Sequence, residues 1–303
     1  MYKKTFYILF FALLATLSVY AESWKFIVAG DTRGPSKSNQ INTEIASEIA
    51  AAIVEEKPDL AFFAGDLIFG KPAKPSHFQS WTNIFAPAYK AGIPIYPLRG
   101  NHDLGKGWKE TFGKQIPDNG PENQLDLTFS VTNKNALFIC IDQYSHNKKQ
   151  AGINHSWLES ELKNKKKTHI FVLAHEPLFG ITGRNLMQKE PLERDRFLRV
   201  MIDAGVKAYF CGHDHTFNHV IIIDKNDPAK ILHQVISGAS GAPLHSNKDL
   251  TGRKELNWDI VTKHSEKQFG YAVIEIKDSK ATLTWKHRES AGVYKPFCSF
   301  TLD

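Results

Sequence analysis

Three consecutive residues, Asn101, His102 and Asp103, carry the densest chemistry in this chain of 303 residues. Asn101 offers a neutral amide oxygen. His102 offers an imidazole that titrates near neutrality, and Asp103 a carboxylate able to orient it. They follow Gly100, which lets the backbone turn sharply after the apolar run Ile93 to Leu98. The same design recurs four more times: an apolar run, a turn, then a polar donor. It sets Asp31 after Gly30, Asp66 after Gly65, His175 after Ala174, and His213 and His215 within Gly212-His213-Asp214-His215. Every donor is an oxygen or an imidazole and none is a thiolate, which argues against a structural zinc finger. Carboxylate, amide and imidazole together suit a pair of divalent ions such as Mn, Fe, Zn or Ni. One bridging carboxylate can hold two such ions about 3.5–4 Å apart, where a hydroxide becomes a nucleophile and phosphoryl charge is stabilised.

These donors need strands that end side by side, and the chain supplies them. Trp24 to Ala29, Leu60 to Ala64, Ile93 to Leu98, His169 to Ala174 and Lys207 to Cys211 are short apolar runs, each ending at a donor. Polar groups at the carboxyl ends of strands sit where open α/β sheets place their ligands. Helical patterns alternate with the runs. Ile41, Ile45, Ile49 and Ile53 recur at four-residue spacing, with Ser38 as the expected N-cap. His77 to Ala91, Ile153 to Leu162 and Leu192 to Ala204 complete the set, and Thr128 to Val131 with Ala136 to Ile141 predict a hairpin. Residues 104–126 are expected as a long loop in which Trp108 and Phe112 pack against the body, and Gly180 to Lys189 as another. After residue 215 the pattern turns to strands, with Ala242 to Gln268 expected as an irregular surface loop. An α/β first part and a β-rich ending fit two packed sheets flanked by helices.

Composition bounds the rest. The chain is 42% hydrophobic and 23% charged, the balance of an ordinary globular protein. Lys3 and Lys4 precede an apolar run of 15 residues, Thr5 to Val19, and Val19-Tyr20-Ala21 fits a small-x-small cleavage site. Residues 1–21 therefore read as a signal peptide cut after Ala21, since the run falls short of the roughly 20 residues that span a bilayer. The expected address is periplasmic or secreted, with no stable membrane insertion after cleavage. Residues 22–303 form one expected domain. The net charge of +6 falls to +4 without the leader, too mild to argue for a nucleic-acid partner. Cys140, Cys211 and Cys298 are far apart in strand-like runs and read as free thiols. Arg184, Arg194 and Arg196 are expected to be mostly solvent-exposed, and Tyr144 and His146 either line the cleft or form a surface turn.

The series of strand-end donors resembles the calcineurin-like metallophosphoesterase family, in its purple acid phosphatase-related branch. The family pattern is Asp-x-His, Gly-Asp-x-x, Gly-Asn-His-Asp/Glu, a strand-end His and Gly-His-x-His, and its order is reproduced over residues 30–215. The Gly-rich stretch Ser237-Gly238-Ala239-Ser240-Gly241-Ala242 adds to the likeness. The resemblance implies an α/β fold, a four-layer α-β-β-α sandwich of two mixed sheets flanked by helices. It implies two divalent metal ions bridged by Asp66. Asn101, His175 and His213 would complete one metal site, and Asp31 and His215 would serve the other. His102 would protonate the leaving oxygen, held by Asp103, after attack by a metal-bound hydroxide. The implied activity is a secreted phosphatase acting on a small-molecule phosphoester. The alternatives are a phosphodiesterase or nucleotide hydrolase, and a catalytically impaired module that binds a phosphorylated ligand.

One departure from the pattern bears on all of these. Asp31-Thr32-Arg33 puts Arg33 where the family usually has a ligand His. A guanidinium stays protonated and has no lone pair to give. Purple acid phosphatases meet a similar gap with a Tyr three residues past the bridging Asp; here that residue is Phe69. One metal site is thus short of a protein ligand. Arg33 either grips the substrate phosphate, as planar forks do well, or pairs with a nearby carboxylate.

Overall fold

The computed structural model describes residues 23–144, 152–164, 167–183 and 185–302; the expected leader 1–21, His146 and Arg184 lie outside them. The first half alternates short strands and helices. β1 (Ser23–Ala29) is followed by a small hairpin, β2 (Arg33–Ser36) and β3 (Asn39–Ile41), and by α1 (Thr43–Glu56). Then come β4 (Leu60–Phe63), α2 (Pro75–Ile84), α3 (Ala86–Lys90), β5 (Ile95–Pro97) and α4 (Gly107–Phe112). A hairpin of β6 (Phe129–Asn133) and β7 (Ala136–Cys140) leads to α5 (His155–Asn164), β8 (His169–Leu173), α6 (Leu186–Lys189), α7 (Pro191–Asp203) and β9 (Ala208–Cys211). Six strands close the chain: β10 (Phe217–Asp224), β11 (Asp227–Ser237), β12 (Trp258–Glu266), β13 (Gly270–Lys277), β14 (Lys280–Ser290) and β15 (Val293–Thr301).

They form two mixed sheets. The first runs β15-β14-β13-β1-β4-β5 and the second β12-β10-β11-β9-β8-β7-β6. β1, β4 and β5 are parallel, as are β7, β8, β9 and β11. The side-chain period of two in a strand sends alternate residues to opposite faces. Ala136, Phe138 and Cys140 of β7 therefore join one core cluster, while Leu137 and Ile139 join the other. Between the sheets lies an aromatic layer. Phe26 and Phe62 of the first sheet meet Phe138 of the second at centroid distances of 4.8 and 4.7 Å, and Phe26 meets Phe171 at 5.1 Å. Each such ring, fully buried, stabilises the sandwich by about 1.5–3 kcal/mol. Ile45, Ile49 and Ile53 of α1 and Phe78 and Trp81 of α2 cover the outer face of the first sheet. Leu158 of α5 and Phe197, Leu198 and Met201 of α7 cover the second, completing the α-β-β-α sandwich.

The structure corrects several local expectations. Asn42, not Ser38, caps α1, its side chain accepting from Ile45 N at 3.3 Å. Ser38 lies in the turn of the β2–β3 hairpin, whose pairing draws Ile41 into a strand. Residues 258–266 are no loop but strand β12, paired with β10. Only Trp258 and Ile260 of that strand are buried, so its apolar alternation is too short to read. The loop 104–126 contains α4, whose Trp108 and Phe112 pack on Phe78 at 5.7 and 5.6 Å, as expected of core residues. The loop from Gly180 to Lys189 contains the short α6. Arg194 is buried rather than exposed, paired with Asp195 and Glu255 and set over the Phe179 ring. Arg196 is exposed, and all three cysteines are free. No helix among the described residues is long and apolar enough to cross a membrane.

Candidate metal centre

Five parallel strands, three from the first sheet and two from the second, end at one rim, and the donors follow them directly. β1 delivers Asp31, β4 Asp66, β5 Asn101 and His102, β8 His175, and β9 His213 and His215. The two sheet edges are stitched together there. Ser237 donates to Val28 O at 2.9 Å and Gly30 N to Ser240 Oγ at 3.2 Å, while Asp31 N donates to Gly65 O at 2.9 Å within the first sheet. Close approach needs glycine at Gly65 and Gly100. A Cβ on Gly65 would lie 2.8 Å from Gly100 Cα, and one on Gly100 would strike Asp66. Asp31, Asp66 and His213 adopt left-handed backbone, with φ of 58°, 51° and 69°. Such strain costs about 1–3 kcal/mol at each residue and collects where side chains must be aimed.

The imidazole tautomers follow from their partners. A carbonyl only accepts, so His175 Nδ1–H donates to Ala64 O at 2.7 Å and His215 Nδ1–H to Pro243 O at 2.8 Å. Each therefore turns a bare Nε2 lone pair into the site. His175 Nε2 faces Asn101 Oδ1 at 3.3 Å and Asp66 Oδ1 at 3.5 Å. His215 Nε2 faces Asp31 Oδ1 at 3.5 Å. His213 brings Nδ1 to 3.1 Å from Asn101 Oδ1 and 3.3 Å from His175 Nε2. Lone pairs crowded against lone pairs are unfavourable unless a cation lies among them.

The donor set fits such an ion. Four-coordinate zinc has bonds of about 2.0–2.1 Å, so its ligand atoms stand about 3.3–3.4 Å apart. The Asp66, Asn101, His175 and His213 donors are separated by 3.1–3.5 Å along the four edges just named. Asp31, Asp66 and His175 also offer ligand atoms within 4.8 Å of one another. Asp31 Oδ1 is buried and has no hydrogen-bond partner, which leaves its lone pairs open to a cation. Burial and then the charge of Asp66 push the Asp31 carboxyl well above its usual range. Burial also opposes the Asp66 charge, yet His175, His102, a backbone N–H and Arg33 hold that carboxyl at about 2. Burial, Arg33 and His245 hold His215 at about 3, so its imidazole stays neutral and able to ligate.

Arg33 completes the rim. Its Nε lies 3.5 Å from Asp66 Oδ2 and its Nη2 3.4 Å from His215 Nε2. The guanidinium also sits 5.6 Å from the Phe69 ring centre. His102 Nδ1–H donates to Phe69 O, which leaves Nε2 in the cleft, 3.9 Å from Asp66 Oδ2. Asp103 does not hold that ring. Its carboxylate accepts from the backbone N–H groups of Leu67 at 3.2 Å, Ile68 at 3.3 Å and Gly100 at 2.8 Å. It bolts the loop after β4 to the loop after β5, because those N–H groups are buried and have no sheet partner.

The cleft over these residues has a volume of about 370 Å³. Lys71, Lys189, Thr182, Tyr144, Glu176 and His245 also line it. Tyr144 is buried, so the surface-turn reading of it falls; its OH donates to Glu176 Oε1 at 2.7 Å. Two residues here escaped the sequence reading. Glu176 places Oε2 3.8 Å from His213 Nε2, and its only signal was adjacency to His175. His245 stacks on His215 at 4.1 Å and its N–H donates to His215 O; it follows the Gly-rich stretch by three residues, with no pattern of its own.

Comparisons with known proteins place the chain in a family. Residues 25–217, more than half of the chain, match the model of the calcineurin-like phosphoesterase family. Tartrate-resistant acid phosphatase type 5 of Rattus norvegicus is 25% identical over 317 residues, covering 95% of this chain and 94% of its own. Probable inactive purple acid phosphatase 29 of Arabidopsis thaliana is 33% identical over 135 residues, covering 45% of this chain and 32% of its own. Among solved structures, the purple acid phosphatase PPD1 of yellow lupin superposes with a TM-score of 0.69 at 16% identity, over 93% of this chain and 54% of that one. By its matched residues and by its fold, the chain belongs to the calcineurin-like phosphoesterase family, and its likeness to acid phosphatases supports a phosphoric ester hydrolase.

Proposed function

We propose that this chain is a secreted, metal-dependent phosphatase that hydrolyses small phosphomonoesters. The observation that carries the reading is the inward convergence of carboxylate, amide and imidazole lone pairs at 3.1–3.5 Å, with two proton or charge donors beside them. Divalent metal held among those donors would supply a water nucleophile at neutral pH and stabilise charge on the phosphoryl oxygens. Asp66, Asn101, His175 and His213 would hold it, with Asp31 and His215 offering a second set of donors. His102 presents Nε2 to the cleft and serves as the proton donor to the leaving oxygen, a contribution of about 10²–10⁴-fold for a positioned acid. Arg33 turns its fork toward the same space and pins a phosphoryl oxygen. Lys71 and Lys189 add positive charge at the mouth, which draws anionic esters in.

A panel of phosphomonoesters and phosphodiesters, assayed on chelated protein reloaded with Mn, Fe, Zn or Ni, tests the proposal. Turnover of p-nitrophenyl phosphate that appears with metal and exceeds that of bis-p-nitrophenyl phosphate supports it. Diesters turned over faster would reassign the chain as a phosphodiesterase. Arg33→Ala should raise KM or abolish turnover; unchanged kinetics would remove Arg33 from the substrate site. A second reading, a module that binds a phosphorylated ligand without hydrolysing it, is favoured by Arg33 standing against the second donor set. Tight binding of phosphate with no turnover under any metal would select it.

A further inference from the structure

The donors at the rim divide into two unequal groups. The first, Asp66 Oδ1, Asn101 Oδ1, His175 Nε2 and His213 Nδ1, has four donor atoms linked by separations of 3.1, 3.3, 3.3 and 3.5 Å. The second has Asp31 Oδ1, His215 Nε2 and the other oxygen of Asp66, and no fourth donor. A cation of the protein stands there instead. Arg33 Nη2 lies 3.4 Å from His215 Nε2 and Arg33 Nε 3.5 Å from Asp66 Oδ2, so the guanidinium faces the very lone pairs a second ion would need. The side chain is fixed in that pose. Nη1 donates to Gly34 O at 3.1 Å, and the Phe69 ring lies 5.6 Å from the guanidinium carbon. A guanidinium cannot shed its proton to make way for a metal.

We propose that this chain holds one divalent ion tightly, in the group of Asp66, Asn101, His175 and His213, and that the Arg33 guanidinium takes the place of the second ion as a permanent positive charge. This rests on reading these residues as metal ligands, and it changes what the substrate meets. The phosphoryl group sits between one ion and one planar fork of N–H donors. Arg33 Nε–H, 3.5 Å from Asp66 Oδ2, makes no hydrogen bond within the protein and can donate one to a phosphoryl oxygen. Asp31 keeps a structural task in this arrangement, since its Oδ2 accepts from His213 N at 2.9 Å and so aims a ligand of the retained ion.

The test is metal stoichiometry of the full chain, stripped with a chelator, reloaded with excess Zn²⁺ or Mn²⁺ and desalted before elemental analysis. Wild type should retain one ion per chain and Arg33→His two, because the new imidazole both removes the charge and adds the fourth donor. His213→Ala should fall below half an ion, whereas His215→Ala should still retain one. Circular dichroism confirms that each variant is folded. Should Arg33→His fail to fold, Arg33→Gln replaces it and should tighten a second ion at least tenfold in titration. Two ions retained by wild type, or loss of the tight ion in His215→Ala, would overturn the proposal while leaving the metal-dependent function intact. No ion retained by wild type or by any variant would overturn both.

Discussion

Replacing Asp103 by Asn separates two jobs that a carboxylate beside His102 could have. In the structure it accepts three backbone bonds: Oδ2 from Leu67 N and Gly100 N at 3.2 and 2.8 Å, and Oδ1 from Ile68 N at 3.3 Å. The side chain is fully buried, so no water can substitute. An Asn keeps one oxygen and does best by leaving it where Oδ2 was, which preserves two bonds. Its NH₂ then faces the Ile68 N–H, donor against donor. One bond is lost and one buried N–H is orphaned, a cost of about 1.5–3 kcal/mol. A domain of this size has an unfolding entropy near 0.6 kcal/mol/K, so Tm should fall by about 3–5 °C. The loop carrying Asp66 would loosen from the loop carrying Asn101, and metal affinity should drop with it. Thermal unfolding, metal titration and a pH profile of kcat give the three readings. The expectation is lower Tm, weaker metal and an unshifted profile at saturating metal. A Tm within 1 °C of wild type, combined with a displaced limb of the profile, would refute the reasoning and return Asp103 to the role of imidazole holder.

Other outcomes follow from the same geometry. His102→Ala should lower kcat by about 10²–10⁴ for alkyl phosphates and much less for p-nitrophenyl phosphate, whose leaving group needs no proton; equal losses on both would argue against proton donation. Chelation should lower Tm as well as activity, because an ion present at 100 times its Kd stabilises the fold by about 2.7 kcal/mol; calorimetry with and without metal reads this. Gly100→Ala should cost both metal and stability, since the added Cβ collides with Asp66; a variant with full metal content would contradict the packing. Away from the metal donors, the Arg288 fork holds the Glu48 carboxyl below its ordinary value of 4.5. A depressed carboxyl stabilises the fold above its unfolded pKa and loses that contribution as pH falls through the folded one. Arg288→Met should therefore flatten the fall in Tm below about pH 4.5; an unchanged slope would mean the pair is solvent-screened.

Much of the site was legible because the fold places chemistry at chain landmarks. Each donor follows an apolar run closed by a turn, so Asp31, Asp66, Asn101, His102, His175, His213 and His215 could be picked out from residue type and position alone. Parallel strands end on one side of a sheet, and that rule turns a list of strand ends into a rim. The local signal failed where an element depends on its neighbours. β12 has two buried residues and exists because β10 offers it a free edge; Ser38 lost the cap to Asn42 because a hairpin pairs the residues between them.

What the sequence by itself determined is the inventory: which donors exist, which strand delivers each, and that Arg33 can never be one of them. Tertiary structure alone decided who faces whom. Asp103 binds backbone rather than the imidazole beside it, Glu176 and His245 join the rim from outside any motif, and Arg33 settles against Asp66 and His215. The physical reason is that donor type is a property of one residue. Distance between donors is a property of two sheets, set by the aromatic layer that packs them together.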